Sequence, residues 1–546
     1  MKKNEIYTVE CTGYNEDGAG VVRIDNIVFF VPGLLYKEVA EIGITALKKN
    51  YGYARIVRIL EKSPNRVEPV CSVNKLCGGC QLLHMNREEQ NYYKEEKVKQ
   101  CFRSNAGMEI ETLPIITAEP YTNYRNKVQI PVQVNNGKVE MGFYQTHTNT
   151  IIPYDTCHVQ SDLSNAIVHT LQELFEKYHC ASVVRHVLVK HAHRNGQVMI
   201  VFIVKKWPME YYEEILQTLT EQYPAISSVS CIVNKRTDNV ILDGKEILLY
   251  GKPYIEEELL GNIFRISARS FFQINPFTTP LLYKTAIDYA GLTGKEVLVD
   301  LYCGTGTMGI IAAKNAKKVY GIEIVPEAIV DARKNAEINH VENIEFLTAD
   351  ANQGAQRILK SKLKVDAMIV DPPRKGCSKD TLDAIIRISP EKLVYVSCDP
   401  ATLARDVKIL RENGYELHQV QPVDMFPQTF HVETVVLLSH KKADSYIHID
   451  VEFGEGEGKI PVDSIAKRAE AYKPKEKVTY KMIKEYIEAK YGFKVHTAYI
   501  AEVKRNLGLP MYDAPNAVEE LKQPRKHPTP EKVEAIKDAL RYFAVI

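Results

Sequence analysis

A single cysteine stands at the point where a buried strand is predicted to end. The stretch LVYVSCDPATLARD, residues 393–406, begins with apolar and β-branched residues and breaks at Cys398 and the Asp-Pro pair that follows it. Open α/β sheets place their chemistry at the carboxyl ends of their strands. Most single cysteines are structural core residues, but the neighbours Ser, Asp and Pro are not core residues. The start of the next helix is expected to lower the thiol pKa from its free value of about 8.5, so we predict that Cys398 is a nucleophile.

A thiol in this position can assist the methylation of a pyrimidine ring if a base lies near it. Uracil C5 is a poor nucleophile, but a thiolate that adds to C6 makes C5 enolate-like, so that C5 can attack a methyl sulfonium. A base must then remove the C5 proton so that the thiol leaves by elimination. The segment DMFPQTFHVETVVLL, residues 424–438, offers His431 and Glu433 before its strand, and we favour Glu433.

A glycine-rich turn supplies a candidate cofactor site. Asp300 ends a predicted strand, CGTGTMG at residues 303–309 opens a helix, and Glu323 ends the next strand, where a carboxylate can accept hydrogen bonds from ribose hydroxyls. Alone, this pattern also fits a structural turn or a nicotinamide-binding turn. Asp300, which suits the amino group of a methionyl moiety, and a second strand-end segment, VDPPRKG at residues 370–376, favour S-adenosylmethionine. Asp371 in that segment is predicted to accept a hydrogen bond from a base imide or from the cofactor.

A second group of cysteines is predicted to hold a metal centre. The chain has 11 cysteines, an odd number that argues against a secreted disulfide framework. Cys71, Cys77 and Cys80 are closely spaced around a Gly-Gly pair, and Cys157 in PYDTCHVQ is the candidate distant fourth ligand. Zinc usually takes paired CxxC knuckles, whereas this chain offers one close pair with a third thiol six positions upstream. Unligated loop cysteines are the simpler alternative.

The candidate catalytic, cofactor-binding and cysteine residues are predicted to lie on a parallel sheet and on further domains. At 546 residues the chain is expected to form three or four domains. Residues 261–442 show the strand–turn–helix alternation of a doubly wound α/β sheet. Residues 1–62 are predicted to form a small β-barrel, and residues 63–260 a mixed α+β domain that holds the cysteine group. Residues 443–546 are predicted to be a helical extension with a turn at Gly492 and a last helix capped by Thr529.

The composition is ordinary for a soluble globular protein, with 25% charged residues, 45% hydrophobic residues and a formal net charge of +1. A polyanionic partner must therefore be met by local basic patches. The amino terminus has no apolar signal-peptide core, and no apolar stretch is long enough to span a bilayer. We therefore expect a cytoplasmic protein without a membrane partner.

Four segments in order, DLYCGTGTMG, VDPPRKG, YVSCDPATLARD and DMFPQTFHVETVVLL, resemble the RNA uracil-C5 methyltransferases, and the resemblance covers about residues 1–440. With its cysteine group and N-terminal barrel, the chain resembles the bacterial 23S rRNA enzymes of that family. The resemblance implies a Rossmann-like class I methyltransferase domain with Cys398 as nucleophile and Glu433 as base. It implies S-adenosylmethionine contacts at Gln273, Tyr302, Thr307, Glu323, Asp350 and Asp371. It also implies a TRAM-like, OB-type RNA-binding barrel and a [4Fe–4S] cluster on Cys71, Cys77, Cys80 and Cys157.

The sequence departs from the family pattern at two of the implied contacts, because Tyr302 stands where phenylalanine is usual and Thr307 where asparagine is common. The predicted function is S-adenosylmethionine-dependent methylation of C5 of a uridine in 23S rRNA by a monomeric enzyme. The alternatives are methylation of a tRNA uridine and a non-catalytic rRNA-binding or assembly role. A cytosine-C5 enzyme would need a second cysteine directly after the DPP-type loop, whereas Arg374 stands there and Cys377 is misplaced.

RNA contacts need basic and aromatic side chains, since phosphates bind cations and unstacked bases bind aromatic faces. The candidates in the central domain are Tyr124, Arg125, Lys127, Phe143, Tyr144 and His147. The tail carries basic clusters at Lys504-Arg505 and Arg525-Lys526-His527. It is either a nucleic-acid-binding appendage or a helical domain that packs on the enzyme.

Overall fold

A computed structural model describes residues 1–440, 480–507 and 527–543 of the chain. The chain divides into two compact units, Met1–Ser445 and Tyr446–Ile546. The first unit contains three large sheets that follow one another along the chain. Among the described residues, no helix is both long and apolar enough to cross a membrane.

The first sheet has six strands in the order β1-β5-β6-β4-β3-β2, antiparallel except for the parallel pair β4–β6. Alternate side chains of these strands fill a core of their own, which includes Val22, Phe29 and Ile42. β1, at one edge of the sheet, also contacts β3, the strand next to the other edge, so the sheet curls in the direction that the predicted barrel requires. The strands are β1 Ile6–Glu10, β2 Gly13–Tyr14, β3 Gly20–Ile24, β4 Ile27–Val31, β5 Val39–Leu47 and β6 Tyr51–Glu61.

A loop that carries three of the clustered cysteines leads into helix α1, Arg87–Cys101. Asn86 caps this helix by accepting a hydrogen bond from the Glu89 N–H, and a π-helical turn at Phe102–Ala106 ends it. α1 lies within the predicted central domain but packs on the third sheet, where its Lys94 forms a buried ion pair with Asp424. This helix therefore fastens the cysteine loop to the sheet that carries Cys398.

The second sheet has seven strands in the order β13-β12-β11-β10-β7-β8-β9. Helices α2 and α3 cover one face, and the hairpin β14–β15 lies against the other. The strands of this sheet are β7 Lys127–Asn135, β8 Lys138–Tyr144, β9 Ile151–Pro153, β10 Val184–Ala192, β11 Gln197–Val204, β12 Ile226–Val233 and β13 Lys245–Gly251. The covering elements are α2 Asp162–Tyr178, α3 Tyr212–Gln222, β14 Tyr254–Leu259 and β15 Asn262–Ser267.

The third sheet confirms the predicted doubly wound α/β arrangement. Its order is β18-β17-β16-β19-β20-β22-β21, parallel from β18 to β20, with β22 antiparallel to both of its neighbours. Helices α4–α6 pack on one face, and α7–α9 with α1 pack on the other. The strands are β16 Val297–Leu301, β17 Lys318–Glu323, β18 Ile344–Thr348, β19 Ala367–Val370, β20 Lys392–Ser397, β21 Tyr415–Val423 and β22 Glu433–His440. The helices are α4 Thr279–Ala290, α5 Thr307–Ala313, α6 Pro326–Ile338, α7 Ala351–Lys360, α8 Lys379–Ile388 and α9 Pro400–Glu412.

The C-terminal unit contains the predicted helices α10 Tyr480–Tyr491, α11 Thr497–Asn506 and α12 Pro530–Tyr542. Gly492 follows α10 with φ 72°, and Thr529 occupies the N-cap of α12, as the sequence predicts. Apolar residues of all three helices share one core, with Ile483, Ile500 and Ile536 fully buried. The basic cluster at Lys504-Arg505 lies on α11, whereas Arg525 and Lys526 fall outside the described residues.

Candidate active site

A cleft of about 760 Å³ opens at the carboxyl ends of the parallel strands of the third sheet. This is the position that open α/β sheets use for ligand binding. Seven of the eight predicted catalytic and cofactor residues line it, and the eighth, Thr307, is buried at the start of α5 beside the Tyr283 hydroxyl. The lining includes Phe271, Gln273, Tyr302, Gly304, Glu323, Asp350, Asp371, Arg374, Cys398, Phe426 and Glu433.

The glycine turn between β16 and α5 brings backbone close to this cleft. Gly306 has φ +77°, and a Cβ atom there would lie 2.8 Å from the Phe346 ring, so only glycine fits without a shift. Glu323 accepts a hydrogen bond from the Gly304 N–H at 3.2 Å and so holds the turn against the end of β17. The turn and the Glu323 carboxylate therefore lie together, as the sequence predicts for a nucleoside-binding turn.

Asp300 has a different position from the expected one. The sequence suggested that its carboxylate would meet the amino group of a methionyl moiety, but it does not line the cleft. It lies beneath the turn and accepts a hydrogen bond from the Gly309 N–H at 2.9 Å. Burial raises the pKa of Asp300 to about 7, and the Gly309 N–H acts in the opposite direction. Asp300 therefore braces the first turn of α5 from below.

Cys398 lies directly after β20, in the short connection to α9. Asp399 is the N-cap of that helix and accepts hydrogen bonds from the Ala401 and Thr402 N–H groups, both at 3.0 Å. The expectation that the helix lowers the thiol pKa is wrong for this arrangement. Burial raises the pKa of Cys398 to about 12, Glu433 adds to the shift, and Arg374 opposes it. The physical reason is burial of the thiol, and the Asp399 carboxylate, which occupies the positive end of the helix, adds to the shift.

Glu433 is the first residue of β22, and its side chain points into the same cleft. It is 4% exposed. Burial and the neighbouring Asp371 raise the pKa of Glu433 to about 8, while Arg374 lowers it. Burial likewise raises the pKa of Asp371 to about 7. His431, the other candidate base, is not part of the cleft lining, and its ring lies 3.4 Å from an Arg374 Nη atom.

Three residues of the cleft were missed as candidate site residues from sequence. Phe271 is 64% exposed in the cleft, two positions before Gln273, and the ring of Phe426 lies on the same lining. Arg374 is the positively charged group that lowers the pKa values of Cys398 and Glu433. The segment SFFQIN contained a signal for Phe271, because residues two positions apart in an extended segment face the same side, and Phe271 lies two positions before the predicted contact Gln273.

Two buried side chains hold the segment that carries Phe271 and Gln273. Lys190 donates hydrogen bonds from Nζ to the Ser267 and Ser270 carbonyl oxygens at 2.7 and 2.9 Å. Asn126 donates from its side chain to the Gln273 carbonyl oxygen at 3.0 Å. Lys190 lies on β10 of the second sheet, and Asn126 directly precedes β7 of the same sheet. The central domain therefore positions one wall of the cleft.

The four clustered cysteines line one separate small cavity together with Arg125. Burial raises the thiol pKa of Cys80 to about 12, and the Arg125 guanidinium opposes this shift. The Nε atom of Arg125 is buried without a hydrogen-bond partner. Within the described ranges, no group of three or more His, Cys, Asp or Glu side chains converges in the geometry of a metal site. The thiol donors fit the chemistry of an iron–sulfur cluster, but they are not drawn together as ligands here.

The candidate RNA contacts of the central domain are divided by the structure. Tyr124 is buried and donates its hydroxyl hydrogen bond to the Pro427 carbonyl oxygen at 3.0 Å, so it cannot stack on a base. Phe143 stacks on Tyr154 at the cysteine cavity with ring centroids 5.3 Å apart. Burial lowers the pKa of Lys127. Tyr144 and His147 are exposed and remain available to a ligand.

The chain is similar to known RNA methyltransferases over most of its length. The family model described as tRNA (Uracil-5-)-methyltransferase matches residues 86–441. An uncharacterized RNA methyltransferase from Clostridium tetani is 41% identical over 448 residues, which are 81% of this chain and 97% of that protein. One from Listeria monocytogenes is 42% identical over 446 residues, 80% of this chain and 98% of that protein.

A solved structure of similar architecture is the Pyrococcus abyssi tRNA (uracil-54, C5)-methyltransferase in complex with S-adenosyl-L-homocysteine. The two structures superpose with a TM-score of 0.63 at 27% sequence identity, over 79% of this chain and 99% of that one. The similarity therefore includes the overall architecture and is not confined to the third sheet.

Proposed function

The chain belongs to the tRNA (uracil-5-)-methyltransferase family, a family of S-adenosylmethionine-dependent RNA methyltransferases, and on this premise we propose that its substrate is a uridine of 23S rRNA. The observation that carries the proposed chemistry is the shared cleft, where Cys398 and Glu433 face the glycine turn and Glu323. The choice of 23S rRNA rests on the resemblance of the cysteine group and the N-terminal sheet to those of rRNA enzymes.

In the proposed mechanism, the Cys398 thiol loses its proton to solvent, the thiolate Sγ atom adds to C6 of the uracil, and the electron pair of the C5–C6 bond moves to C5. S-adenosylmethionine, when bound, supplies an electrophilic methyl group to that carbon. Glu433 then removes the C5 proton, the C5–C6 double bond re-forms, and the Cys398 thiolate leaves. Arg374 is the cation that favours both ionised side chains, since it lowers the pKa of each.

The cleft has the chemistry and size that S-adenosylmethionine needs, since small-molecule sites usually measure about 300–1,000 Å³. Glu323 would accept the ribose hydroxyls, and Asp350 would use the carboxylate oxygen that is not engaged in capping α7 at the Gln353 N–H. The remaining proposed contacts are Gln273, Tyr302 and Asp371. Thr307 would act through the start of α5, because it lies behind the cleft wall.

We also propose that Cys71, Cys77, Cys80 and Cys157 hold a [4Fe–4S] cluster. Their common cavity supports this, and so does Arg125, whose positive charge would offset part of the negative charge of the thiolates. The cluster would clamp the cysteine loop to the second sheet and shape the RNA-binding surface, because four protein thiolates leave no open iron site.

The proposal assigns a role to each predicted domain. Residues 1–62 would be a TRAM-like RNA-binding barrel, residues 63–260 an RNA-binding domain with the cluster, and residues 261–442 the S-adenosylmethionine-dependent catalytic domain. Residues 443–546 would be an accessory helical unit. We propose that the enzyme acts as a monomer in the cytoplasm, where its RNA substrate is found.

The deciding experiment measures methyl transfer from labelled S-adenosylmethionine to unmodified 23S rRNA and, separately, to unmodified tRNA. Wild type and Cys398→Ala would be compared, and the product nucleoside identified. Labelled 5-methyluridine in 23S rRNA from wild type alone supports the proposal. The same product in tRNA alone favours the second candidate, which the architecture shared with the Pyrococcus abyssi enzyme makes a specific alternative. No transfer to either RNA contradicts both.

A further inference from the structure

We propose that three aromatic side chains on the outer face of the N-terminal sheet, Phe30, Tyr51 and Tyr53, bind unpaired bases of the substrate RNA by stacking. We call them the stacking surface. The proposal rests on RNA as the substrate and names where the flanking strand is held. The Phe30 ring centroid lies 5.9 Å from that of Tyr51 and 5.9 Å from that of Tyr53, and the two tyrosine rings are 5.7 Å apart.

The sheet register turns these side chains away from the barrel core. On β6 the residues Tyr51 and Tyr53 are exposed while Gly52 between them is buried. Gly52 faces Phe29 so closely that a Cβ atom would lie 2.3 Å from the Phe29 ring. Any side chain at position 52 would therefore displace the core, and the strand alternation fixes both tyrosines on the outer face.

The two tyrosine rings remain accessible although they contact each other and the half-buried Phe30. Tyr51 is 38% exposed and Tyr53 42% exposed, values that are high for large aromatic side chains. Side chains two positions apart on a strand are about 6.8 Å apart. The two tyrosine rings are nearly perpendicular, with an interplanar angle of 81°, so their faces point in different directions. A flexible single strand can place one base on each ring, which suits it better than a compact ligand.

Cations surround the stacking surface. Arg23 lies in the same row of the sheet as Tyr51, because it pairs with Val28 on β4 and Val28 pairs with Tyr51 on β6. Arg55 is the next outward residue along β6. Arg23, Arg55 and the loop residues Lys48 and Lys49 are exposed, and none has an ion pair within the described part of the chain. Unpaired cations beside exposed rings fit a polyanion with aromatic bases.

A chain of neighbouring residues runs from the stacking surface toward the catalytic domain. Tyr51 is the main cause of a raised pKa at the Tyr53 phenol. The carboxylate of Asp17, in the turn between β2 and β3, adds to this shift. The next turn residue back, Glu16, accepts a hydrogen bond at its carbonyl oxygen from the Tyr93 hydroxyl at 2.6 Å. Tyr93 lines a groove of about 400 Å³ between the first sheet and α1.

The far wall of that groove contacts Phe430, which lies three residues before Glu433. Lys97 lines the groove and donates a hydrogen bond from Nζ to the Phe430 carbonyl oxygen at 2.8 Å. Burial lowers the pKa of Lys97, and Asp399, the residue after Cys398, is among the carboxylates that act on it in the opposite direction. The proposal places the RNA strand along this groove, from a target base at Cys398 past Lys97 toward the stacking surface.

The first test replaces both tyrosines in the full chain. Tyr51→Leu with Tyr53→Leu keeps an apolar outer face but removes the ring faces. Base–aromatic stacking contributes about 1–3 kcal/mol per base, so KM for RNA is expected to rise about 5- to 150-fold for one base lost. kcat at saturating RNA and the Kd for S-adenosylmethionine should stay unchanged. Tyr250→Leu is the matched control, because Tyr250 is 44% exposed on β13 of the second sheet.

The second test observes stacking directly and does not depend on methyl transfer. The chain contains one tryptophan, Trp207, so wild type gives the background for a Tyr53→Trp variant. Quenching of the added fluorescence by single-stranded RNA, and much weaker quenching by a duplex of the same sequence, supports the proposal. The proposal is overturned by equal quenching with both RNAs or by no quenching. It is also overturned if the fluorescence changes with protein concentration in the absence of RNA, because a second copy of the protein would then cover the stacking surface.

The two proposals fail separately. If wild type makes no 5-methyluridine in any RNA, the proposed function is lost, while the fluorescence result still decides whether the surface stacks on bases. If wild type is active and the double variant has the KM of Tyr250→Leu, the proposed function stands and the stacking surface is wrong.

Discussion

Cys398 offers a direct test of the electrostatics in the cleft, because its thiol is expected to be protonated and slow to react in the free protein. Burial and the nearby carboxylates raise its pKa to about 12. At pH 8 such a thiol is ionised to about 10⁻⁴, against about a quarter for a free cysteine with a pKa of about 8.5. That is a deficit of roughly 2,000-fold in thiolate.

The more basic thiolate recovers part of this deficit, since nucleophilicity rises with a Brønsted coefficient of about 0.4–0.5, or roughly 40-fold over this difference in pKa. Alkylation of Cys398 by iodoacetamide is therefore expected to be about 50-fold slower than that of a free cysteine at pH 8. The assay is peptide-resolved mass spectrometry over time from pH 6.5 to 9.5. Cys398→Ala identifies the peptide signal.

Two substitutions in the same cleft should act in opposite directions. Arg374→Met removes the cation that lowers the pKa of Cys398, so alkylation should slow at every pH. Glu433→Gln removes a carboxylate that raises this pKa, so alkylation should speed up. Because the Glu433 pKa is itself raised to about 8, its effect should be small at pH 6.5 and clear above pH 8. Fast alkylation with an apparent pKa near or below 8.5, or changes of the same sign in both variants, would refute this reasoning.

Three further predictions concern other parts of the first unit. Glu433→Gln should accumulate a covalent protein–RNA adduct, seen on a denaturing gel, because general-base removal of a proton contributes about 10²–10⁴-fold in rate; an unchanged turnover rate would argue against its role. Gly306→Ala should lower Tm more than Gly304→Ala. Both positions have positive φ, which costs an alanine about 1–2 kcal/mol, but only at position 306 would the Cβ atom also clash with the Phe346 ring. Equal losses of Tm would contradict this. Lys94→Met should destabilise the fold by about 3–5 kcal/mol in urea denaturation by leaving Asp424 buried and unpaired, and Lys94→Met with Asp424→Leu should recover most of that loss.

The sequence allowed the position of the chemistry to be predicted better than its electrostatics. Cys398 was found from a strand-end pattern and Glu433 from its place before the last strand. The third sheet brings both to one cleft because β22 runs antiparallel to β20, so the start of β22 lies at the carboxyl edge of the parallel strands. The thiol pKa could not be predicted, because it depends on burial and on carboxylates from β19 and β22 that are distant in sequence.

Local patterns were also ambiguous where tertiary packing decides the outcome. YTNYRNKV predicts RNA contacts by composition, yet Tyr124 is buried against the segment before β22 and Arg125 faces the cysteine cavity. In the same way, α1 belongs to the cysteine loop in sequence but to the third sheet in packing, through Lys94. Contacts between segments more than 300 residues apart carry no local signal.

The charge state of the cleft is itself a consequence of burying three acids at one sheet edge. Burial raises the pKa of Asp300 and of Asp371 to about 7 and that of Glu433 to about 8. At pH 7 Glu433 is largely protonated, Asp300 and Asp371 are each about half protonated, and Arg374 contributes the positive charge. Had all three been ionised, the cleft would repel the phosphates of any RNA that approached it. The same burial that makes Cys398 a slow nucleophile in the free protein therefore reduces the repulsion between the cleft and a polyanion. The thiol and Glu433 are expected to ionise only when the uracil ring lies against them.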